Sequence, residues 1–262
     1  MAGSADGTAG ETADDAQPAS RRERVRAATV QEIVQTARRF LVGHGPDAIT
    51  LRAIAREMGM TAPALYRYFD SRDELIRYMI GEIYLEIADV IQAAVDAASR
   101  DGLAARFSAS ARAFRGWSLS HQREFGLVFA TPLPAYDLEH LDYEQECGLR
   151  FGGVFLALYI ELWQRKPFRV PAPGDIAPGL RAQLERFGEK LGADLSAGAM
   201  LSFAYCWVRL YGMVSMEVYG QLGWVLDDAE PIFEMMLEEL LAVLGLEYQP
   251  ASGTDGAPAI YP

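Results

Sequence analysis

Residues 50–70 of this 262-residue chain, TLRAIAREMGMTAPALYRYFD, gather three kinds of side chain suited to one chemistry. Arg52, Arg56 and Arg67 bring guanidinium groups, and Tyr66 and Tyr68 bring phenols. Thr61, Ala62, Pro63 and Ala64 form a run of small residues between them. Guanidinium and phenol groups suit phosphate oxygens, and a run of small side chains lets a backbone approach base edges closely. That combination is what a helix entering a DNA major groove requires.

The elements that must hold this segment follow from spacing. Thr50 is placed to cap a short helix that buries Leu51, Ile54, Ala55 and Met58. Gly59 breaks it, Thr61 starts the next helix, and Pro63 falls in the first turn, where its missing N–H costs nothing. Leu65 and Phe69 point inward. Arg22–Val42 precedes this pair, with Val30, Ile33, Val34, Ala37, Phe40 and Leu41 on one face, and Gly43-His44-Gly45-Pro46 stops it. Ser71-Arg72-Asp73-Glu74 reads as a capping box that opens a long helix through Leu75, Met79, Ile83, Ile87 and Val95.

Charge supports the same division. Net charge is −12, from 24 basic and 36 acidic residues, and half the chain is hydrophobic. Read as an average, this argues against nucleic acid and against global disorder. Residues 21–78, however, hold 11 arginines against 7 acids, and residues 79–262 hold 13 bases against 25 acids. A basic segment followed by an acidic body suggests a phosphate-facing module.

Here the chain resembles the TetR family of bacterial transcriptional regulators. The pattern T-x-R-x-I-A-x-x-x-G-x-[ST]-x-x-x-L-Y-x-x-F-x-S-[KR]-x-E-L is met at Thr50, Arg52, Ile54, Ala55, Gly59, Thr61, Leu65, Tyr66, Phe69, Ser71, Arg72, Glu74 and Leu75. Arg72 stands where Lys is commoner, and Pro63 where Gly or Ala is commoner. The resemblance implies an all-α homodimer, with an N-terminal three-helix DNA-binding head containing a helix-turn-helix and a C-terminal helical bundle that binds a small effector. It places Arg52 on a base, and Thr61, Ala62, Pro63 and Ala64 along base edges. Tyr66, Tyr68 and Arg72 fall on phosphates, and Arg67 on either. Arg21, Arg22, Arg24 and Arg26 read as a basic arm or as a solvated helix start. Trp117 and His121 match a Trp-x-x-x-His signature of one subgroup.

Beyond Arg100 the pattern stays helical. Helices are expected over 103–119, 122–129, 138–164, 180–191, 196–222 and 229–244, with a turn at Thr131–Pro134 and a proline-rich loop over 166–179. Aromatic residues recur throughout and read either as core or as the lining of an apolar cavity. Trp117, Phe125, Phe129, Phe155, Tyr159, Trp163 and Tyr205 are the expected effector residues, with Glu161 and Tyr205 placed to orient a ligand. Glu161 and Arg209 interrupt apolar helices and need partners. Apolar stripes over 196–222 and 229–244 suit an intersubunit four-helix bundle, with Phe233 and Leu240 expected in that interface.

The expected organisation is a disordered tail over 1–20, a head over 21–70, an effector-binding and dimerisation body over 71–246 and a flexible tail over 247–262. Two cysteines, Cys147 and Cys206, form neither a disulfide framework nor a metal knuckle. His140, Asp142, Glu144 and Glu146 read as a solvated acidic face rather than a metal site. No enzyme motif, cofactor motif, signal peptide or membrane span is found, so no catalytic residue, cofactor or membrane partner is expected, and the location is read as cytoplasmic. The functional expectation is a repressor released from palindromic double-stranded DNA by a small hydrophobic effector. The alternatives are an activator or inducer-independent regulator of the same fold or, from a different class, a helical carrier or enzyme.

Overall fold

The computed structural model describes residues 20–130 and 141–250. The expected tails over 1–19 and 251–262, the Thr131–Pro134 turn, the start of a helix at 138–140 and His140 lie outside the described residues. Among the described residues there are ten α-helices and no strand.

Helix α1 (Arg21–His44) opens on a capping box, in which Ser20 Oγ accepts from the Glu23 N–H and Glu23 accepts from the Ser20 N–H. The basic residues 21–26 are therefore the exposed first turns of a helix. It ends at Gly45, and a single 3₁₀ turn, Pro46–Ala48, leads on to α2 (Leu51–Glu57). Thr50 caps α2 by accepting from the Ala53 N–H at 3.1 Å. Gly59 then takes φ +66°, a left-handed conformation open to glycine at no steric cost, and the Met60 N–H closes on Ala55 O at 2.8 Å.

Helix α3 (Ala62–Leu65) is shorter than its apolar spacing predicts. Thr61 makes no side-chain cap, and the last turn tightens through Tyr68 N–H to Leu65 O at 2.9 Å. Leu51, Ile54, Ala55, Leu65 and Phe69 are all buried, so the expected inner face of the helix pair is present.

Helix α4 (Arg72–Ala97) packs against α1 at one end and the body along the rest. Ser71 Oγ accepts from the Glu74 N–H at 3.1 Å, and Glu74 reaches one residue further back than expected, to the Asp70 N–H at 2.6 Å. The body continues as α5 (Gly102–Ser120), α6 (Gln122–Phe129), α7 (Tyr143–Arg165), α8 (Pro178–Lys190), α9 (Ala197–Val218) and α10 (Glu230–Val243). The α4–α7 crossing depends on Gly81, because a Cβ there would lie 2.7 Å from the Tyr143 ring. Tyr143 itself stacks on Tyr78 at 4.6 Å. No helix among the described residues is long and apolar enough to cross a membrane.

Candidate nucleic-acid interface and body cavity

The head presents its polar residues on one outer surface. Arg52, Arg56, Thr61, Pro63, Tyr66 and Arg67 are exposed, and Ala62, Ala64 and Tyr68 are half-buried beside them. Tyr68 lies under the Arg26 guanidinium at 5.3 Å, tying the start of α1 to the α3 segment. Arg72 is spent differently. Its Nε donates to Ile49 O and its Nη2 to Pro46 O, each at 2.8 Å. Two of its donor nitrogens thus hold the turn before α2 rather than facing outward. Of the nine residues expected at DNA, five are exposed, Ala62, Ala64 and Tyr68 are half-buried, and Arg72 braces the turn before α2.

A polar cluster joins head to body. Arg38 of α1 donates through Nε to Glu124 of α6 at 3.0 Å and through both terminal nitrogens to Glu86 of α4. Trp117 of α5 donates its indole N–H to Glu86 at 2.8 Å. His121 stacks on Trp117 with ring centroids 4.7 Å apart. Arg38 first, then Trp117, hold the Glu86 carboxyl below the usual carboxylate range despite partial burial. The Trp-x-x-x-His pair is thus built into a junction between four helices.

Farther from the head, α5, α7, α9 and α10 enclose an apolar cavity with about 520 Å³ of empty space, its open mouth included. Phe155 and Tyr159 line it, as expected. The other five predicted effector residues lie elsewhere. Trp117 turns its indole N–H to Glu86, and its place is the junction. Phe125 and Phe129 pack with Phe114 and Tyr211 in the aromatic core. Trp163 packs edge-on against Phe168 at 5.3 Å, and Tyr205 is 59% exposed. Residues related by helical phase on one element need not face the same neighbour once four helices cross.

The sequence reading missed Phe107, Trp207 and a wall of leucines, Leu237, Leu240, Leu241 and Leu244. Their i, i+3, i+4, i+7 spacing was visible but was assigned to a subunit interface. Phe233 and Leu240 are likewise correctly seen as apolar but sit inside the subunit, 0% and 7% exposed. The outer faces carry Tyr205, Val208 and Met216 on α9, and Ile232, Met235 and Val243 on α10, all exposed. The two suspect charges are paired: Glu161 with Arg106 at 2.7 Å and with Arg165 at 2.9 Å, and Arg209 with Glu239. Among the described residues no group of three or more His, Cys, Asp or Glu is arranged to hold a metal ion.

Two family models match the chain. Residues 27–79 match "Bacterial regulatory proteins, tetR family", and residues 107–240 match "Tetracyclin repressor-like, C-terminal domain". HTH-type transcriptional regulators of Mycobacterium bovis and Mycobacterium tuberculosis are each 31% identical over 217 residues, covering 81% of this chain and 91% of theirs. A crystallised regulatory protein, SCO4313, aligns with TM-score 0.63 at 32% identity, over 85% of this chain and 100% of that one. A protein of unknown function from Rhodococcus sp. RHA1 shares the fold, with TM-score 0.61 at 19% identity, over 83% of this chain and 94% of that one.

Proposed function

We propose, from the premise that this chain belongs to the tetR family and is a DNA-binding transcriptional regulator, that it is a homodimeric repressor released from a palindromic operator by a small hydrophobic effector. The observation that carries the proposal is a continuous packed route from cavity to head. Phe155 and Trp207 on the cavity wall touch Phe114, Phe114 touches Phe125 of α6, and the neighbouring Glu124 grips Arg38 of α1. A ligand that moves the cavity wall displaces α6, and with it the α1–α4 contact that sets the angle of the head. Two heads in a dimer read two half-sites only at the spacing of successive major grooves, so a small tilt is enough to release DNA.

The exposed apolar faces of α9 and α10 are the proposed dimer surface, replacing Phe233 and Leu240. Val208→Glu is expected to yield a folded monomer by sedimentation, whereas Phe233→Glu destabilises the subunit itself, because a carboxylate there is shut off from water and meets only Arg115, which Glu217 already holds.

The test is operator selection followed by release. Genomic fragments retained by the protein should share a two-fold-symmetric sequence. An apolar extract of the producing cells should then lower affinity for it, and Arg38→Met should bind the same DNA yet fail to respond. Release that is equally strong in folded Arg38→Met overturns the route, and operator affinity indifferent to every extract overturns the effector-released repressor.

A further inference from the structure

We infer that the body cavity takes an uncharged aliphatic chain carrying at most a hydroxyl group, and rejects ionised ligands of the same length. The inference rests on the reading of this cavity as the effector site and adds the chemical class of its occupant.

None of the 13 lining residues is charged. Four arginines on the surrounding helices are paired with glutamates, Arg106 with Glu161, Arg112 with Glu234, Arg115 with Glu217 and Arg209 with Glu239, although the buried Nε of Arg106 is left without a partner. An ionised ligand would therefore lose water and meet no counter-ion, and an unpaired charge in an apolar medium is strongly disfavoured.

Four lining residues carry polar side-chain atoms, Ser110, Tyr159, Cys206 and Trp207, and their hydrogen bonding is informative. Ser110 donates its hydroxyl proton to Phe107 O at 2.7 Å, and Tyr159 donates its own to Ala199 O at 2.8 Å. Both hydroxyl protons are thereby committed, and while the Tyr159 oxygen also accepts from Ser202, that of Ser110 is left as an acceptor. The Cys206 thiol is pushed up to about 11 by burial, so it stays neutral, and a thiol is a weak donor. A carboxylate can only accept, and the one free donor among the lining side chains is the neutral indole N–H of Trp207, which carries no counter-charge. An alcohol can donate to Ser110 without disturbing its internal bond.

Shape completes the class. Leu237, Leu240, Leu241 and Leu244 stand along eight residues of α10 and its end, about 10 Å at the α-helical rise. Phe107, Phe155 and Trp207 stand among the remaining walls. A cavity with leucines on one side and aromatic rings on others suits a hydrocarbon chain, which gains van der Waals contact with both.

The test compares octanol with octanoate at pH 8, using the full-length protein and reading intrinsic tryptophan fluorescence and the shift in melting temperature. Octanol should bind saturably, and octanoate about a hundredfold more weakly or worse. Ala111→Phe should fill the cavity and weaken octanol at least about tenfold; Cys206→Phe, from α9, repeats the test if the first variant does not fold. Octanoate binding as tightly as octanol overturns the ligand class while leaving the cavity as effector site. Octanol binding unchanged in a folded filled variant overturns the location. If neither probe binds the wild-type protein, both the class and the effector-site reading fall.

Discussion

The exposed and half-buried residues expected at DNA all come from one short stretch, Arg52 to Tyr68, whose local turns and caps lie within a few residues of them, with Arg26 laid over Tyr68 from α1. The cavity draws its walls from Phe107 to Leu244, on four helices that meet only after the chain has folded back several times. The head turns its functional groups outward, where arginines stay hydrated and the anionic partner supplies the missing charge. The cavity of the body faces inward, where no lining side chain is charged and the neighbouring arginines pair with glutamates. A surface that reads a polymer must remain polar and unsatisfied until the partner arrives. A cavity that senses a small molecule must be dry and fully satisfied beforehand, so that only apolar contact is left to gain.

The most severe way to break this contrast is to open the body core. Phe114 is fully buried and touches Phe125, Phe129, Phe151, Phe155 and Trp207. Phe114→Ala should cost about 3–5 kcal/mol in denaturant unfolding. A loss under about 1 kcal/mol would mean that the aromatic cluster does not hold the body together.

On the head the expected effects are smaller and fall on binding. Arg52→Ala should weaken specific DNA by about 1–3 kcal/mol and relax preference at one base pair per half-site, with melting temperature unchanged. Equal loss on random DNA would leave Arg52 only a phosphate role.

Arg72 sharpens the contrast within the head itself. Arg72→Ala removes two hydrogen bonds to turn carbonyls, one part-buried and one exposed, and should cost about 1–2 kcal/mol of stability. The slope of DNA affinity against salt should stay as it is. A slope reduced by about 0.9 per subunit would return Arg72 to the phosphate backbone.

The mildest effect is electrostatic and lies at the junction. The folded-state pKa of Glu86 is lowered, chiefly by Arg38, so its contribution is fully present above the unfolded carboxylate value and is lost as pH falls through the folded one. Glu86→Gln should lower stability most at neutral pH, and its difference from the wild type should shrink as pH falls below the unfolded carboxylate value, about 4.3, so that the acid limb is flatter. An acid limb identical to that of the wild type would show that Glu86 makes no net contribution. The effect is small because the side chains of Glu86 and Arg38 are each partly hydrated.

What could be read from the sequence follows the same divide. The caps at Thr50 and Ser71, the Gly59 turn and the inward set from Leu51 to Phe69 were legible, because each depends on residues at most a few positions apart. Helix α6 was placed at its observed bounds, and the others within a few residues where described. The short α3 was not legible, since the apolar spacing carries on to Phe69 while the hydrogen bonds tighten after Leu65. Nor could Trp117 be separated from Tyr159. Both are large aromatics in helical phase, and only the crossing of α4 over α5 gives one of them a carboxylate to hold. The same holds for α10, both of whose faces are apolar. Phe233, Leu240 and Ile232 differ only in which side the subunit covers.

The clasp of Arg72 on Pro46 and Ile49 has a consequence for how such a protein can be recombined. A seam at residue 70, where the chemistry of the reading surface ends, would strip two carbonyls of their donor and remove the Ser71 cap. The smallest transplantable unit therefore extends into α4, and whatever inherits this head inherits the lever beneath it. Specificity for DNA and the angle at which it is held are exchanged together, so grafting this head onto a foreign sensor also imports the first turns of its transmission.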